Sequence, residues 1–294
     1  MKNIRNRAAS FFIIFIIYIA AAAAGVLVYY LASGMHLLIS TLLADIAATI
    51  VVWLCGIFLK NSSVYDPYWS VAPIFIIIFW IFAVDISIGA IDILFIIAIF
   101  TWGIRLTANW ALRWKGIADQ DWRYIMFKKR SPKMWFLTNL FGINLMPTLI
   151  VFIALTPLYY ALVNTRRSVY FAIFGFIICI FAVTIQAVSD RQMDFFRKNP
   201  SNKGKPIDLG LWKYSRHPNY LGEISFWWGI WLMQVWINPS AWWTVAGPVL
   251  MTMLFVFISI PMMEQHILES RPEYREYQRN VSVLKFLPRK NAQG

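Results

Sequence analysis

The sequence predicts an all-α fold, a polytopic bundle of seven to eight transmembrane helices with both termini in the cytoplasm. Three observations predict it. Hydrophobic residues make up 60% of the 294 residues and charged residues only 14%, where a soluble domain carries about a quarter. The apolar residues gather in long runs, and roughly 20 in a row suffice for a helix to cross a bilayer core. The cations lie between those runs, mostly on alternate connections. The chain is therefore read as a single membrane-embedded domain over 1–294.

Taken in order, the runs place spans near 9–32, 36–59, 68–84, 88–112, 137–162, 169–188, 220–237 and 241–262. The first follows Lys2, Arg5 and Arg7 and contains the small-residue run Ala20–Ala24, which imitates a signal-peptide cleavage site. Its apolar stretch continues through Tyr30, so an uncleaved signal anchor is expected. The third run is short and follows Asp66-Pro67. Asp suits the cap of a helix and Pro its first position, so Asp66 is expected to cap that helix. The tail after Met263 is polar, helical at first and extended over Lys285 to Arg289, with Pro272 tolerable in a first helical turn.

Charge sets the orientation. With eight spans, the segments 113–136 and 189–218, the C-terminal tail, the N-terminus and Lys60 share one side, and only Arg166 and Arg167 fall on the other. That asymmetry obeys the positive-inside rule. It accounts for the net charge of +13 without nucleic acid as a partner; membrane lipid is the expected surrounding and a monomer the expected state. The short loops point to a bacterial inner membrane, and a eukaryotic endoplasmic-reticulum membrane would give the same sidedness. Cys55 and Cys179 both sit in apolar runs, and His36, His217 and His266 are scattered, so neither a disulfide framework nor a metal site is expected.

Ionisable groups in or beside a span are costly, which makes each a candidate functional residue. The set is Asp45, Asp66, Asp92, Arg105, Glu223 and Glu264. Asp45 reads as a buried hydrogen-bonding group and Asp92 as a wetted one near a span end. Asp66, flanked by Tyr65, Tyr68 and Trp69, reads as a carboxyl group at the mouth of an aromatic pocket, where apolar walls favour its neutral, donating form. Trp102, Arg105 and Asn109 share one helix face by their spacing, and an arginine there asks for an anion. The stretch 189–223 mixes Arg197 and Arg216 with Asp190, Glu223, Tyr214, Asn219 and Tyr220. Such a set suits a phosphorylated nucleotide, and no Gly-x-Gly-x-x-Gly accompanies it, so a Rossmann site is not supported.

At these residues the chain resembles a family. Asp190…Arg197…Trp212-Lys-Tyr214-Ser-Arg-His217-Pro-Asn219-Tyr-Leu-Gly-Glu223 is similar to the signature of membrane steroid 5α-reductases and related sterol and enoyl reductases. Pro272-Glu-Tyr274-Arg-Glu-Tyr277 with Phe286-Leu-Pro288 fits their closing pattern. The resemblance spans roughly 60–290; the two spans in 1–59 stand where the animal relatives have one. It implies an enzyme of the 3-oxo-5α-steroid 4-dehydrogenase type. NADPH on the cytoplasmic side would reduce the C=C bond of a lipid enone, foremost a 3-oxo-Δ4 steroid. By position it implies cofactor contacts at Asp190 and Arg197 (adenosine and phosphate), Asn219 and Glu223 (nicotinamide and ribose), Arg105 and His266, to which Asn109, Tyr214 and His217 are added. It places Asp66 where the family has a glutamate that hydrogen-bonds the substrate's 3-oxo group, with Trp69 and Trp102 in the substrate pocket. Trp102 occupies the position of the tyrosine that accompanies that glutamate, so Tyr65 or Tyr68 is expected to supply the missing hydroxyl. Another cofactor-contacting tyrosine falls near Gly204.

A second resemblance competes. Isoprenylcysteine carboxyl methyltransferases share an Arg-His-Pro-x-Tyr-x-Gly motif and a Tyr-x-x-Tyr tail. Their cofactor, S-adenosylmethionine, carries no phosphate, and the cation-rich 189–218 segment favours the reductase.

Overall fold

The computed structural model describes residues 6–84, 88–163 and 169–286. They are helical nearly throughout and include no β-strand. Among the described residues seven helical segments are long and apolar enough to cross a membrane, the first at Arg7–Leu31 and the last at Pro239–Ser270. Arg166 and Arg167, on which part of the expected orientation rests, lie outside the described residues.

The helices are α1 (Arg7–Leu31), α2 (Leu37–Phe58), α3 (Tyr68–Ala83), α4 (Ala90–Arg113), the short α5 (Trp122–Arg130) and the long helical span α6 (Pro132–Leu162). They continue with α7 (Val169–Lys198), α8 (Pro218–Val235), the span α9 (Pro239–Ser270) and α10 (Tyr274–Asn280). The expected span over 220–237 exists as α8 but is not among the seven apolar segments. Its Asn219, Glu223 and Gln234 lower its hydropathy, and Glu223 and Gln234 are buried inside the protein. Polar groups that look inward need no lipid-compatible surface. Within α6, residues Thr138–Leu145 are wound as a π-helix, and the Asn144 amide donates to the Asn139 carbonyl at 2.7 Å, occupying part of the loosened ladder.

The chain forms two compact units, one from residues up to Ser87 with Trp102–Leu155, the other from Ile88–Thr101 and the chain after Leu155. In the first, α1 packs on α2, and Gly25 permits it: a Cβ there would stand 3.1 Å from the Ala44 carbonyl oxygen. Ile14, Ile17, Ala48, Val52, Val64, Tyr65, Tyr68 and Trp114 form one buried cluster. In the second, α7 and α8 cross along a seam of small residues. A Cβ on Gly229 would meet the Gly175 carbonyl oxygen at 3.0 Å, and one on Gly222 the Ala182 carbonyl oxygen at 2.7 Å. Apolar surface gains little from helix contact in lipid, so close backbone approach is what holds such helices together.

Candidate active site

The first unit gathers its polar chemistry around the corner that joins α2 to α3. Lys60 takes a left-handed conformation (φ 55°) and ends α2. Asn61 then does two jobs. Its side-chain oxygen accepts from the Ser63 backbone N–H at 2.8 Å, starting the tight turn Ser62–Tyr65. Its amide donates to the carbonyls of Ile117 at 2.6 Å and Asp119 at 3.0 Å, drawing in the connection between α4 and α5. That connection is fixed at other points. Arg7 donates to the Ala111 carbonyl at 2.6 Å, satisfying a C-terminal carbonyl of α4. Ser63 Oγ accepts from the Asp121 backbone N–H at 2.9 Å.

Asp121 in turn caps α5, accepting from the Arg123 backbone N–H at 2.8 Å, and pairs with the same guanidinium through Nε at 2.8 Å and Nη2 at 3.0 Å. Burial works against the Arg123 charge, but the hydrogen bonds it donates to Asp121 and the nearby anions outweigh it and hold the guanidinium more firmly protonated than usual. The next residue is decisive. Tyr124 is buried and donates its phenolic hydrogen to Asp66 Oδ1 at 2.5 Å.

This geometry corrects two expectations. Asp66 does not cap α3; Pro67 stands at the cap position without a side-chain hydrogen bond. The preceding turn ends on Asp66 instead, which leaves its carboxylate free to receive Tyr124. Nor do Tyr65 and Tyr68 hold Asp66. Tyr65 Oη bonds Thr148 Oγ1 at 2.8 Å, and Tyr68 Oη donates to Asp45 Oδ1 at 2.8 Å. The Tyr65 hydroxyl thus points to α6 and the Tyr68 hydroxyl to α2, while both rings are buried with Ala48 and Val52 of α2. Tyr124 went unread because it lies 58 residues from Asp66 and no spacing rule joins the two. The alternation of apolar and cationic residues in α5 marks an amphipathic helix and is the available signal.

The two tryptophans expected in the substrate pocket lie together. Trp69 meets Trp102 edge-on at 5.8 Å, and Gly103 brings α4 against α3, since a Cβ there would lie 2.7 Å from the Ser70 carbonyl oxygen. Asp45, Tyr68, Trp69, Ala72, Pro73 and Thr148 line a small cleft beside it. Arg105 and Asn109 are half-buried on α4. Asp92 is buried, not wetted, and accepts from the Gly89 backbone N–H at 2.9 Å at the start of α4.

In the second unit, α7 carries Asp190, half-buried, and Arg197, exposed near its end. Glu223 is buried on α8 and accepts from Trp227 Nε1 at 3.0 Å. Beside the seam, Gln186 is buried with neither end of its amide hydrogen-bonded, and Asn219 Oδ1 is buried without a partner among the described residues. Buried amides of this kind are costly unless something satisfies them. A carboxamide or ribose hydroxyl would, so these residues fit a nicotinamide nucleotide in the chemistry of their donors and acceptors.

His217 faces Glu264. Glu264 Oε1 accepts from Arg216 Nε at 2.8 Å and lies 2.9 Å from His217 Nε2, and Gln278 Nε2 donates to Glu264 Oε2 at 2.7 Å. The Arg216 and His217 backbone N–H groups donate to Ser282 and Val283 carbonyls at 2.8 and 3.2 Å. Tyr277 donates to the Trp212 carbonyl. The Arg-His-Pro segment is thus clasped to the C-terminal helix. His266 stands outside the clasp, partly exposed, 3.9 Å from Glu269. Tyr214 is exposed with Lys213 over its ring.

The family described as protein of unknown function (DUF1295) matches residues 52–281. An uncharacterized protein of Schizosaccharomyces pombe is 26% identical over 265 residues, covering 81% of this chain and 76% of its own length. A probable O-methyltransferase of Ustilaginoidea virens is 46% identical over 46 residues, 16% of either chain. No solved structure matches.

Proposed function

The chain belongs to the DUF1295 family, which is related to the steroid 5α-reductases, and from that premise we propose that it reduces the C=C bond of an enone in a membrane-soluble lipid with NADPH, a 3-oxo-Δ4 steroid being the first substrate to try. The observation that carries the reading is the Asp66–Tyr124 pair. The related reductases set a carboxyl group and a phenol at the substrate ketone. Here the family's tyrosine position holds Trp102, and Tyr124 returns a phenol to the carboxyl from a different helix.

In this mechanism the protonated Asp66 donates through Oδ2 to the ketone oxygen, while Tyr124 holds Oδ1 and fixes the carboxyl's orientation. Charge growing on the oxygen as the enolate forms meets a pre-set donor, the arrangement that lowers such barriers most. Trp69 and Trp102 wall the lipid and exclude water. NADPH, when bound, supplies the hydride for the β-carbon, and Asp190, Arg197, Asn219, Glu223 and Gln186 would hold it on the cytoplasmic face. The α-carbon takes its proton from solvent or a side chain.

A second reading, S-adenosylmethionine-dependent O-methylation, has one observation in its favour, the short match to a probable O-methyltransferase. One experiment separates them. Purified protein is given a 3-oxo-Δ4 steroid, first with NADPH and then with labelled S-adenosylmethionine and a lipid carboxylate. Loss of NADPH absorbance with a product two hydrogens heavier is the expected result. Failure to oxidise NADPH with this steroid and with simpler enones sinks the reductase, and methyl transfer would put the other in its place.

A further inference from the structure

Helix α5 has a second face that the proposed reaction does not use. Between Trp122 and Leu137 the sequence holds Arg123, Lys128, Lys129, Arg130 and Lys133 and no carboxylate. Arg123 is taken by Asp121. The other four are exposed, and among the described residues Lys129, Arg130 and Lys133 have no side-chain partner. Lys128 lies over the Trp135 ring at 6.0 Å. The same stretch exposes Ile125, Met134, Phe136 and Leu137. Pro132 opens a span, so these cations stand where headgroups meet acyl chains. Membrane orientation alone asks only for positive charge in the connection. It does not ask for charge gathered beside exposed apolar side chains, on a helix whose inward residue grips Asp66.

We propose that this face docks the headgroups of anionic phospholipids in the surrounding bilayer, and that lipid held there steadies α5 over Asp66. Cations at the surface attract such lipids over about a Debye length, and the apolar neighbours let them approach. Lys128 to Arg130 also complement the C-terminal end of the α5 dipole, a role that any solvated cation there would fill; selectivity among lipids separates the two.

The test needs no assumption about the reaction. Intact protein is extracted with mixed phosphatidylglycerol and phosphatidylcholine, and retained lipids are counted by native mass spectrometry. Phosphatidylglycerol is expected to be held preferentially, with the preference falling about fivefold per charge removed in K128Q/K129Q/R130Q/K133Q and fading in high salt. If that variant fails to insert, R130Q/K133Q carries the same test with a smaller loss. In nanodiscs, hydrogen exchange across Trp122–Arg130 is expected to slow when phosphatidylglycerol replaces phosphatidylcholine. Equal retention of the two lipids, or a preference unmoved by the substitutions, overturns the docking surface. Exchange indifferent to the lipid overturns its link to Asp66. Loss of NADPH binding with phosphatidylglycerol retained would assign the cations to the nucleotide instead.

Discussion

Tyr124 donates to Asp66 at 2.5 Å across 58 residues of sequence, from a helix outside the spans to the corner that starts one. Removing the phenol therefore strikes both chemistry and fold. In Tyr124→Phe the carboxyl loses its orienting partner, and kcat for enone reduction should fall about tenfold to a hundredfold, a little under the loss of a direct oxyanion donor. Stability should fall by about 1–3 kcal/mol, the cost of a buried polar atom left without its bond. Turnover and thermal unfolding in detergent measure the two, and a variant equal to wild type in both would leave the pair without a role.

Asp66→Asn tests the other member. The amide keeps the shape and can still donate a hydrogen bond, but its N–H is a weaker donor than a carboxylic acid O–H toward the charge growing on the ketone oxygen. The expectation is a kcat lower by about 10²-fold with KM for the lipid little changed. Wild-type turnover would remove Asp66 from the mechanism.

Much of this fold is legible in the sequence because lipid leaves few options. The spans at 9–32 and 36–59 differ from α1 and α2 by at most two residues at either end, since hydropathy and backbone satisfaction fix them together. What escapes is set by packing between distant segments. Hydropathy judges α8 by its composition, yet Glu223 and Gln234 face inward. Asp66-Pro67 carries a helix-start signature, but the turn that Asn61 starts moves the helix start past it. Tyr65 and Tyr68 are Asp66's neighbours in sequence and are turned toward Thr148 and Asp45 in space. Sequence proximity located the carboxyl and could not choose its phenol.

The pair also predicts a pH dependence. Burial first, and then the charge of Asp66, raise the Tyr124 phenol well above its ordinary value, which is about 10. Over the interval between those values the folded chain keeps a proton that the unfolded chain has released. The stabilisation is therefore whole below about pH 10 and is lost as pH rises beyond it. Thermal midpoints measured from neutral to strongly alkaline pH should fall more steeply for wild type than for Tyr124→Phe, whose other tyrosines are the same. Parallel curves would show that the phenol's proton is not coupled to folding.

The clasp at Glu264 gives the last test. Its carboxylate faces Arg216 and His217 on one side and Gln278 on the other, with the Arg216 and Glu264 side chains only 11% and 13% exposed. Charges this sheltered are costly to strand. Glu264→Ala leaves the guanidinium facing a hole and should cost about 3–5 kcal/mol, with the damage centred on Tyr274–Asn280 and the Ser282–Val283 contact. Hydrogen exchange should rise there first, while the α1–α2 pairing in the other unit keeps its protection. Replacing Arg216 and Glu264 together with Met and Leu removes both charges, and by the same reasoning should restore part of the loss. A double variant as unstable as the sum of its singles would mean that the contact is shape alone and that the charges do not sense each other.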